Sequence, residues 1–381
     1  MTEPRISELS PGLIETPETS EHSNYVILKG DSRELVSQLP VINCVMCSPP
    51  YFQKQKYGDL PVEIGKERDV EDYIKTLVDI FNAVPLHHRG SVWINIGDKR
   101  DNHGGLMSIP ERLCLAMQNS GWHRADSVIW AKIVDFVDGT TKGGCMIEPA
   151  NGRLNGNGYE YLYRFVKTEK VSDAWTDMCA VGLPRQEKEQ IERAYLPKEL
   201  MTVVTSIEGR RLHNVWQIPM GQTSKLHYAC YHRSLCERPI VMTCPLFVDE
   251  SGNPVGNRIV VNTEYDEDRG SKRVFGKYND ADLDKSGRMD TGRHYIPRKP
   301  VTVGWESIPE GALPGIVLDP FCGTGVTGQV ALATGRGFIG IDLYDEYVDM
   351  SRKTCEETAE FLRVNKLNPA NIIRADKHVY S

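Results

Sequence analysis

The sequence predicts an α/β protein built on an open, mostly parallel sheet with helices on both faces. Three observations carry that prediction. Short apolar runs alternate with amphipathic stretches along most of the 381 residues. A content of 40% hydrophobic and 25% charged residues fits a globular chain with a sizeable core. Two of the strand-like runs end in turn signatures, Ser48-Pro49-Pro50-Tyr51 and, about 270 residues later, Asp319-Pro320-Phe321-Cys322-Gly323-Thr324-Gly325. The ends of strands are where such sheets bind ligands.

NYVILKGD (24–31) reads as a strand closing in a turn, and SRELVSQL as a short helix with Ser32 at its N-cap. INCVMC (42–47) is nearly continuous in its hydrophobicity, which predicts a strand buried on both faces. Alternation sends Cys44 and Cys47 to opposite faces, so their C-x-x-C spacing reads as two structural thiols. VEDYIKTLVDIFNAV (70–84) has the helical period, GSVWINIGD (90–98) is a strand, IPERLCLAMQNSG (109–121) is a helix stopped by Gly121, and SVIWAK (127–132) is a strand. The Gly- and Asn-rich stretch from Val134 predicts a mobile loop before the strand EYLYRFVK (160–167). Residues 170–212 are mixed and charged, and SKLHYACYHRSLCERPIVM (224–242) reads as a helix. Residues 244–311 are polar and look like an insertion. GIVLDPF, VTGQVALATG, GFIGIDL and YDEYVDMSRKTCEETAEFL then alternate strand and helix to the end, with no internal repeat.

Composition excludes several classes. The N-terminus (1–22) is acidic and rich in Ser, Thr and Pro, which predicts a loose tail and no secretory signal. No apolar stretch is long enough to span a membrane. Ten scattered cysteines fit a reducing cytoplasm, and Cys230, Cys236 and Cys244 lack the paired spacing of a zinc module, so no metal is expected. A net charge of −7 weighs against nucleic-acid binding only on average. Lys272, Arg273, Lys277, Lys285, Arg288, Arg293, Arg298 and Lys299 gather positive charge locally, as a phosphate-binding surface or a solvated loop would.

In VLDPFCGTGVTG a strand ends and the chain turns into a helix. Gly323 and Gly325 let the turn be tight and let a ligand lie against the backbone. Asp342 ends the next strand about twenty residues on, where a carboxylate suits the two hydroxyls of a ribose. The turn lacks G-x-G-x-x-G spacing and a P-loop lysine, and Asp319 disfavours a pyrophosphate. A ligand with an amino group or a sulfonium fits better, and S-adenosylmethionine is one. In Ser48-Pro49-Pro50-Tyr51 the prolines stiffen the backbone and remove N–H donors, leaving the Ser48 hydroxyl and main-chain carbonyls as acceptors. Such a row can hold the two hydrogens of an aromatic amine while Tyr51 stacks on its ring.

With these motifs in this order, the chain resembles the amino-methyltransferases of DNA, specifically the permuted β group, in which the catalytic motif precedes the recognition region and the cofactor motif comes last. The likeness runs through Gly30-Asp31, SPPY (48–51), INIGD (94–98), SVIWAK, YEYLYRFVK, KLHYACYHRSLCERPI and DPFCGTGVTG with GIDL. It implies a Rossmann-like S-adenosylmethionine-dependent methyltransferase sheet, circularly permuted, with an inserted target-recognition region. Residues 23–138 would form the catalytic half, 139–212 the recognition region, 213–243 a helix returning to the core, 244–311 an insertion and 312–381 the cofactor half. Asp319, Phe321, Gly323, Thr324 and Gly325 would line the cofactor, Asp342 would hold its ribose, Asp31 would lie near its adenine, and the helix around His227 would pack near its methionine part. Ser48, Pro49, Pro50 and Tyr51 would form the catalytic pocket. Members with Ser at the first position of that motif mostly methylate cytosine at N4, so an N4-cytosine enzyme is expected, with N6-adenine methylation or an inactive DNA-binding relative as alternatives. The implied substrate is a base flipped out of double-stranded DNA. The implied setting is the cytoplasm of a bacterium or archaeon, or a phage, with a cognate restriction endonuclease as a candidate partner and the choice between monomer and homodimer open.

Overall fold

A computed structural model describes residues 24–54, 60–135, 141–143, 158–177, 180, 214–219, 231–263 and 299–365. The expected tail at 1–22, His227, and most of 139–212 and 264–298 lie outside the described residues. The elements are β1 (Tyr25–Lys29), α1 (Ser32–Leu35), β2 (Ile42–Cys47), α2 (Val70–Ala83), β3 (Leu86–Ile96), α3 (Ile109–Asn119), β4 (His123–Asp135), β5 (Thr141–Gly143), β6 (Tyr159–Val166), β7 (Val215–Pro219) and α4 (Arg233–Thr243). After them come β8 (Phe247–Val248), β9 (Asn257–Thr263), β10 (Lys299–Glu306), β11 (Leu313–Pro314), β12 (Ile316–Asp319), α5 (Val326–Ala333), β13 (Gly337–Asp342) and α6 (Asp345–Val364).

One sheet carries the order β1-β13-β12-β2-β3-β6-β4-β5, with β7 also pairing β4. The first five strands are parallel, and β6 runs antiparallel to both neighbours. All six residues of β2 are buried, as a central strand covered on both faces requires. Helix α2 is capped by the Asp69 carboxylate and buries Tyr73, Ile74, Leu77, Val78, Ile80 and Phe81, a stripe at helical spacing. From β12 the chain crosses through α5 to β13 on one side; from β2 it crosses through α2 to β3 on the other. The strand order therefore reverses between β12 and β2, the kind of place where open α/β sheets bind ligands.

Four local expectations change. Asp31, in extended backbone, caps α1 through Arg33 N at 2.9 Å, whereas Ser32 is already helical. The Ser32 hydroxyl instead donates to the Pro320 carbonyl. The glycine-rich stretch expected as a loop holds two strand segments, because β4 continues to Asp135 and its backbone pairs with Thr141–Gly143. The helix expected over 224–242 begins, among the described residues, at Arg233, and His232 at its N-cap has extended backbone and accepts from Ser234 N. Residues 244–257, expected to open an insertion, lie in the compact unit of the large sheet: Cys244, Leu246 and Val248 are buried, and Asn43 donates to the Gly252 carbonyl. A second compact unit comprises Met178–Leu212 and Arg258–Gly304, drawing on both the expected recognition region and the expected insertion. Strands β9 and β10 pair with each other there.

Arg336, fully buried between α5 and β13, donates from Nε and Nη2 to the Cys244 carbonyl, from Nη2 to Val241 O and from Nη1 to Thr334 O. A cation placed on the last carbonyls of α4 meets the negative end of that helix. Arg336→Ala would orphan these carbonyls and leave a cavity, a loss of about 3 kcal/mol or more. Arg336→Lys keeps the charge without the planar fork and should recover only part of it. Urea denaturation measures both; a loss under about 1 kcal/mol for the alanine variant would contradict this role.

Candidate active site

The parallel register pairs Val317 with Cys44 and Leu318 with Val45. The Asp319 and Ser48 motifs, which follow these residues, therefore leave the sheet at the same edge, on adjacent strands.

At the end of β12, Asp319 is 1% exposed. One carboxylate oxygen accepts from Phe321 N at 3.0 Å, and the other from Thr327 Oγ1 at 2.5 Å and the Tyr231 hydroxyl at 3.2 Å. Burial nevertheless wins over these bonds and pushes the Asp319 carboxyl up to about 7. The two motif glycines serve different surfaces. A Cβ on Gly325 (φ +85) would stand 2.8 Å from Ser351 Cα, so that glycine lets the turn close on α6. Gly323 (φ +50) would meet only the Phe321 carbonyl, at 4.0 Å, so the outer face of the turn is left open. Asp342 accepts from Gly323 N at 2.9 Å and Tyr344 N at 3.2 Å, and burial raises its carboxyl as well. The turn thus combines an open backbone face with the buried Asp319 and half-buried Asp342 carboxylates, acceptors suited to a ligand bearing hydroxyls and a positive group. Phe321 and Thr324 lie half-buried in the same turn. Asp31 lies at the end of β1, where Gly30 N donates to Asp342 O, but its carboxylate is engaged by Arg33 through both oxygens.

At the end of β2, Ser48, Pro50 and Tyr51 are half-buried and Pro49 is buried. The Tyr73 hydroxyl on α2 donates to Pro50 O at 2.9 Å, and the Phe52 and Tyr73 rings pack with centroids 5.5 Å apart. A Cβ on Gly65 (φ +94) would come within 3.0 Å of Tyr51 O, so the loop before α2 folds tightly onto the motif. The same loop is tied to the other half of the sheet: Glu63, buried, accepts from the Tyr344 hydroxyl at 2.5 Å, and Val62 O accepts from Arg33 at 2.7 Å. The Ser48 hydroxyl donates to Tyr51 Oη at a long 3.5 Å, Tyr51 donates to Glu160 Oε2 at 2.6 Å, and Lys132 Nζ donates to Glu160 Oε1 at 2.6 Å.

Sequence reasoning missed Glu160, Lys132, Glu63, Tyr231, Thr327 and Tyr344. One signal was available. In YEYLYRFV, Glu160 alternates with Leu162 on a strand face that the structure buries, and a carboxylate on such a face needs a partner. Cys44 and Cys47 are buried free thiols, pushed up by burial to about 11 in Cys44 and well above the ordinary range in Cys47, which suits packing and not redox or metal chemistry. Among the described residues no cluster of His, Cys, Asp and Glu has the arrangement to hold a metal ion, and no helix is long and apolar enough to cross a membrane.

The sequence profile described as DNA methylase, N6_N4_Mtase, matches residues 42–353. Type II methyltransferase M.SmaI of Serratia marcescens is 24% identical over 359 residues, covering 86% of this chain and 89% of that protein. Type II methyltransferase M.SfiI of Streptomyces fimbriatus is 24% identical over 405 residues, covering 88% and 92%. The solved structure of PvuII DNA methyltransferase (cytosine-N4-specific) aligns with 90% of this chain and 94% of its own, at 16% identity and a TM-score of 0.49.

The Asp319 shift makes a pH prediction. Its folded pKa of about 7 lies above an unfolded value near ~4. Between those values the native carboxyl holds a proton that the unfolded chain has released. Its contribution to stability is therefore full below about pH 4 and is lost as pH rises through about 7. Ligand-free protein should melt lower at about pH 8 than at about pH 6, and Asp319→Asn should flatten that fall; equal slopes in calorimetric scans would contradict the shift.

Proposed function

This chain belongs to the DNA methylase family, and we propose that it transfers the methyl group of S-adenosylmethionine to the N4 amine of a cytosine flipped out of double-stranded DNA. The observation that carries the reading is the convergence of the Asp319 turn and the Ser48 motif on neighbouring strands where the sheet order reverses. The sulfonium supplies an electrophilic methyl group and a neutral leaving group, so the protein has only to hold and aim the nucleophile. Asp342 would accept from the ribose hydroxyls, Gly323 would let the ligand lie against the turn, and Asp319 would face the positive part. Asp31 would lie near the adenine, with Phe321, Thr324 and the segment around His227 completing that site.

At the acceptor side, an incoming amine would find the Ser48 hydroxyl and the Pro49 carbonyl, because Pro50 O is occupied by Tyr73 and Tyr51 O by Lys54 N. Hydrogen bonds from both amine hydrogens to these acceptors localise the nitrogen lone pair, which otherwise delocalises into the ring. Tyr51 would stack on the base. After transfer the nitrogen carries a positive charge and releases one proton to solvent, which completes the balance.

Cytosine as target rests on Ser48 at the first position of the motif. Type II, site-specific action is the reading favoured by the relatives' names, with the second compact unit, 178–212 and 258–304, as the recognition element. A partner endonuclease acting on the same site fits that setting.

Methylated DNA digested to nucleosides and weighed should contain N4-methylcytosine; N6-methyladenine in its place would overturn the base assignment while leaving the amine chemistry intact. Asp342→Ala should weaken cofactor binding by tenfold or more, about 1.4 kcal/mol, with DNA affinity changed far less. Equal losses in calorimetric titrations of both ligands would contradict the role given to Asp342.

A further inference from the structure

We propose that Glu160, paired with Lys132, is a positioning residue that fixes the direction of the Ser48–Tyr51 hydrogen-bond chain and so makes the pocket select an exocyclic amine over a carbonyl oxygen. The proposal deepens the function given above: it rests on the pocket holding an amine, but not on which base carries it.

The placement is built by the sheet. Glu160 on β6 stands opposite Trp130 on β4, and Lys132 lies two residues further along β4, on the same face and diagonal to Glu160. Both members of the pair are largely removed from solvent, with side chains 16% exposed for Lys132 and 7% for Glu160. The approach is close enough to restrict a third position, since a Cβ on Gly97 would stand 3.1 Å from Glu160 Cγ and 3.2 Å from Oε1. Both carboxylate oxygens are engaged, one by Lys132 and one by Tyr51, each at 2.6 Å.

Direction follows from donor counting. A carboxylate facing an ammonium accepts hydrogen bonds and donates none. Tyr51 has one hydroxyl proton, and it is committed to Glu160. The Tyr51 oxygen can then only accept, and it accepts from the Ser48 hydroxyl. With its single proton turned toward Tyr51, Ser48 offers only lone pairs to whatever enters the pocket. An amine, with two donors, satisfies them. A carbonyl oxygen at the same ring position brings more lone pairs, and acceptor would face acceptor. Cytosine and uracil differ in this way at ring position 4, as adenine and hypoxanthine do at position 6. A glutamine at 160 could donate to Tyr51 from its amide, which would permit the chain to reverse and Ser48 to become a donor.

The test uses the full chain and a duplex bearing the site mapped by methylation-sensitive sequencing, with either the methylatable base or its keto counterpart at the target position. Two quantities are read: the single-turnover transfer rate, and the ratio of affinities for the two duplexes with S-adenosylhomocysteine present. Glu160→Gln is expected to slow transfer about tenfold and bring the affinity ratio toward one, with cofactor affinity unchanged. Tyr51→Phe, which keeps the ring and removes the hydroxyl, should do the same. The double variant should be no slower than Tyr51→Phe alone, because Glu160 acts through that hydroxyl. A wild-type rate and ratio in Glu160→Gln, or losses that multiply in the double variant, would overturn the proposal. If Glu160→Gln fails to fold by thermal melting, Tyr51→Phe decides alone: a retained preference for the amine overturns it. Failure of wild-type protein to methylate either duplex would overturn the underlying function instead.

Discussion

The pairing of β12 with β2 is the contact that brings the Asp319 turn and the Ser48 motif together. Val317, Leu318, Cys44 and Val45 are all fully buried at that contact, and burying each aliphatic side chain contributes roughly 1.5–3 kcal/mol. The pairing is central in the sheet and the crossover connections leave it on opposite sides, so the strand order reverses at this point. Two motifs separated by most of the sequence become neighbours through four apolar residues that carry no chemistry themselves.

Two buried polar networks then hold the two motifs. On the β12 side, Asp319 is held by Phe321 N, Thr327 and Tyr231, donors from the turn, α5 and the approach to α4. On the β2 side, Tyr51 is held by Glu160, which is held by Lys132. In a medium that screens charge weakly, each is costly if left incomplete and rigid when satisfied. They differ in electrostatic state: burial pushes the Asp319 carboxyl up to about 7, leaving it short of positive charge, whereas Glu160 already has its cation in Lys132. The loop carrying Glu63 and Val62 is hydrogen-bonded to Tyr344, just after β13, and to Arg33 on α1.

The strands and helices of the large sheet were legible because their patterns are local. The nearly continuous apolar run of β2 reads as a buried strand, and the α2 stripe as a half-buried helix. The misreadings were places where a tertiary partner outcompeted a local rule. Asp31 took the cap expected of Ser32 because Pro320 O, from the far end of the chain, claimed the serine hydroxyl. The glycine-rich stretch after β4 gained strand segments because an unpaired strand edge lay beside it. Residues 244–257, polar enough to read as an insertion, joined the sheet's unit because Asn43 and His87 offered partners for Gly252 and Asn253.

Local pattern was enough to read the fold class, the two turns that end β12 and β2, and the residue types in each turn. It sufficed because period, proline and glycine act within a few residues of themselves. Which side chains from distant segments reach the two candidate motifs depended on tertiary packing. Glu160, Lys132, Tyr231 and Thr327 come from segments whose local patterns contain no trace of one another, and a hydrogen bond across 109 positions, such as that from Tyr51 to Glu160, exists only once the sheet has set the strands side by side.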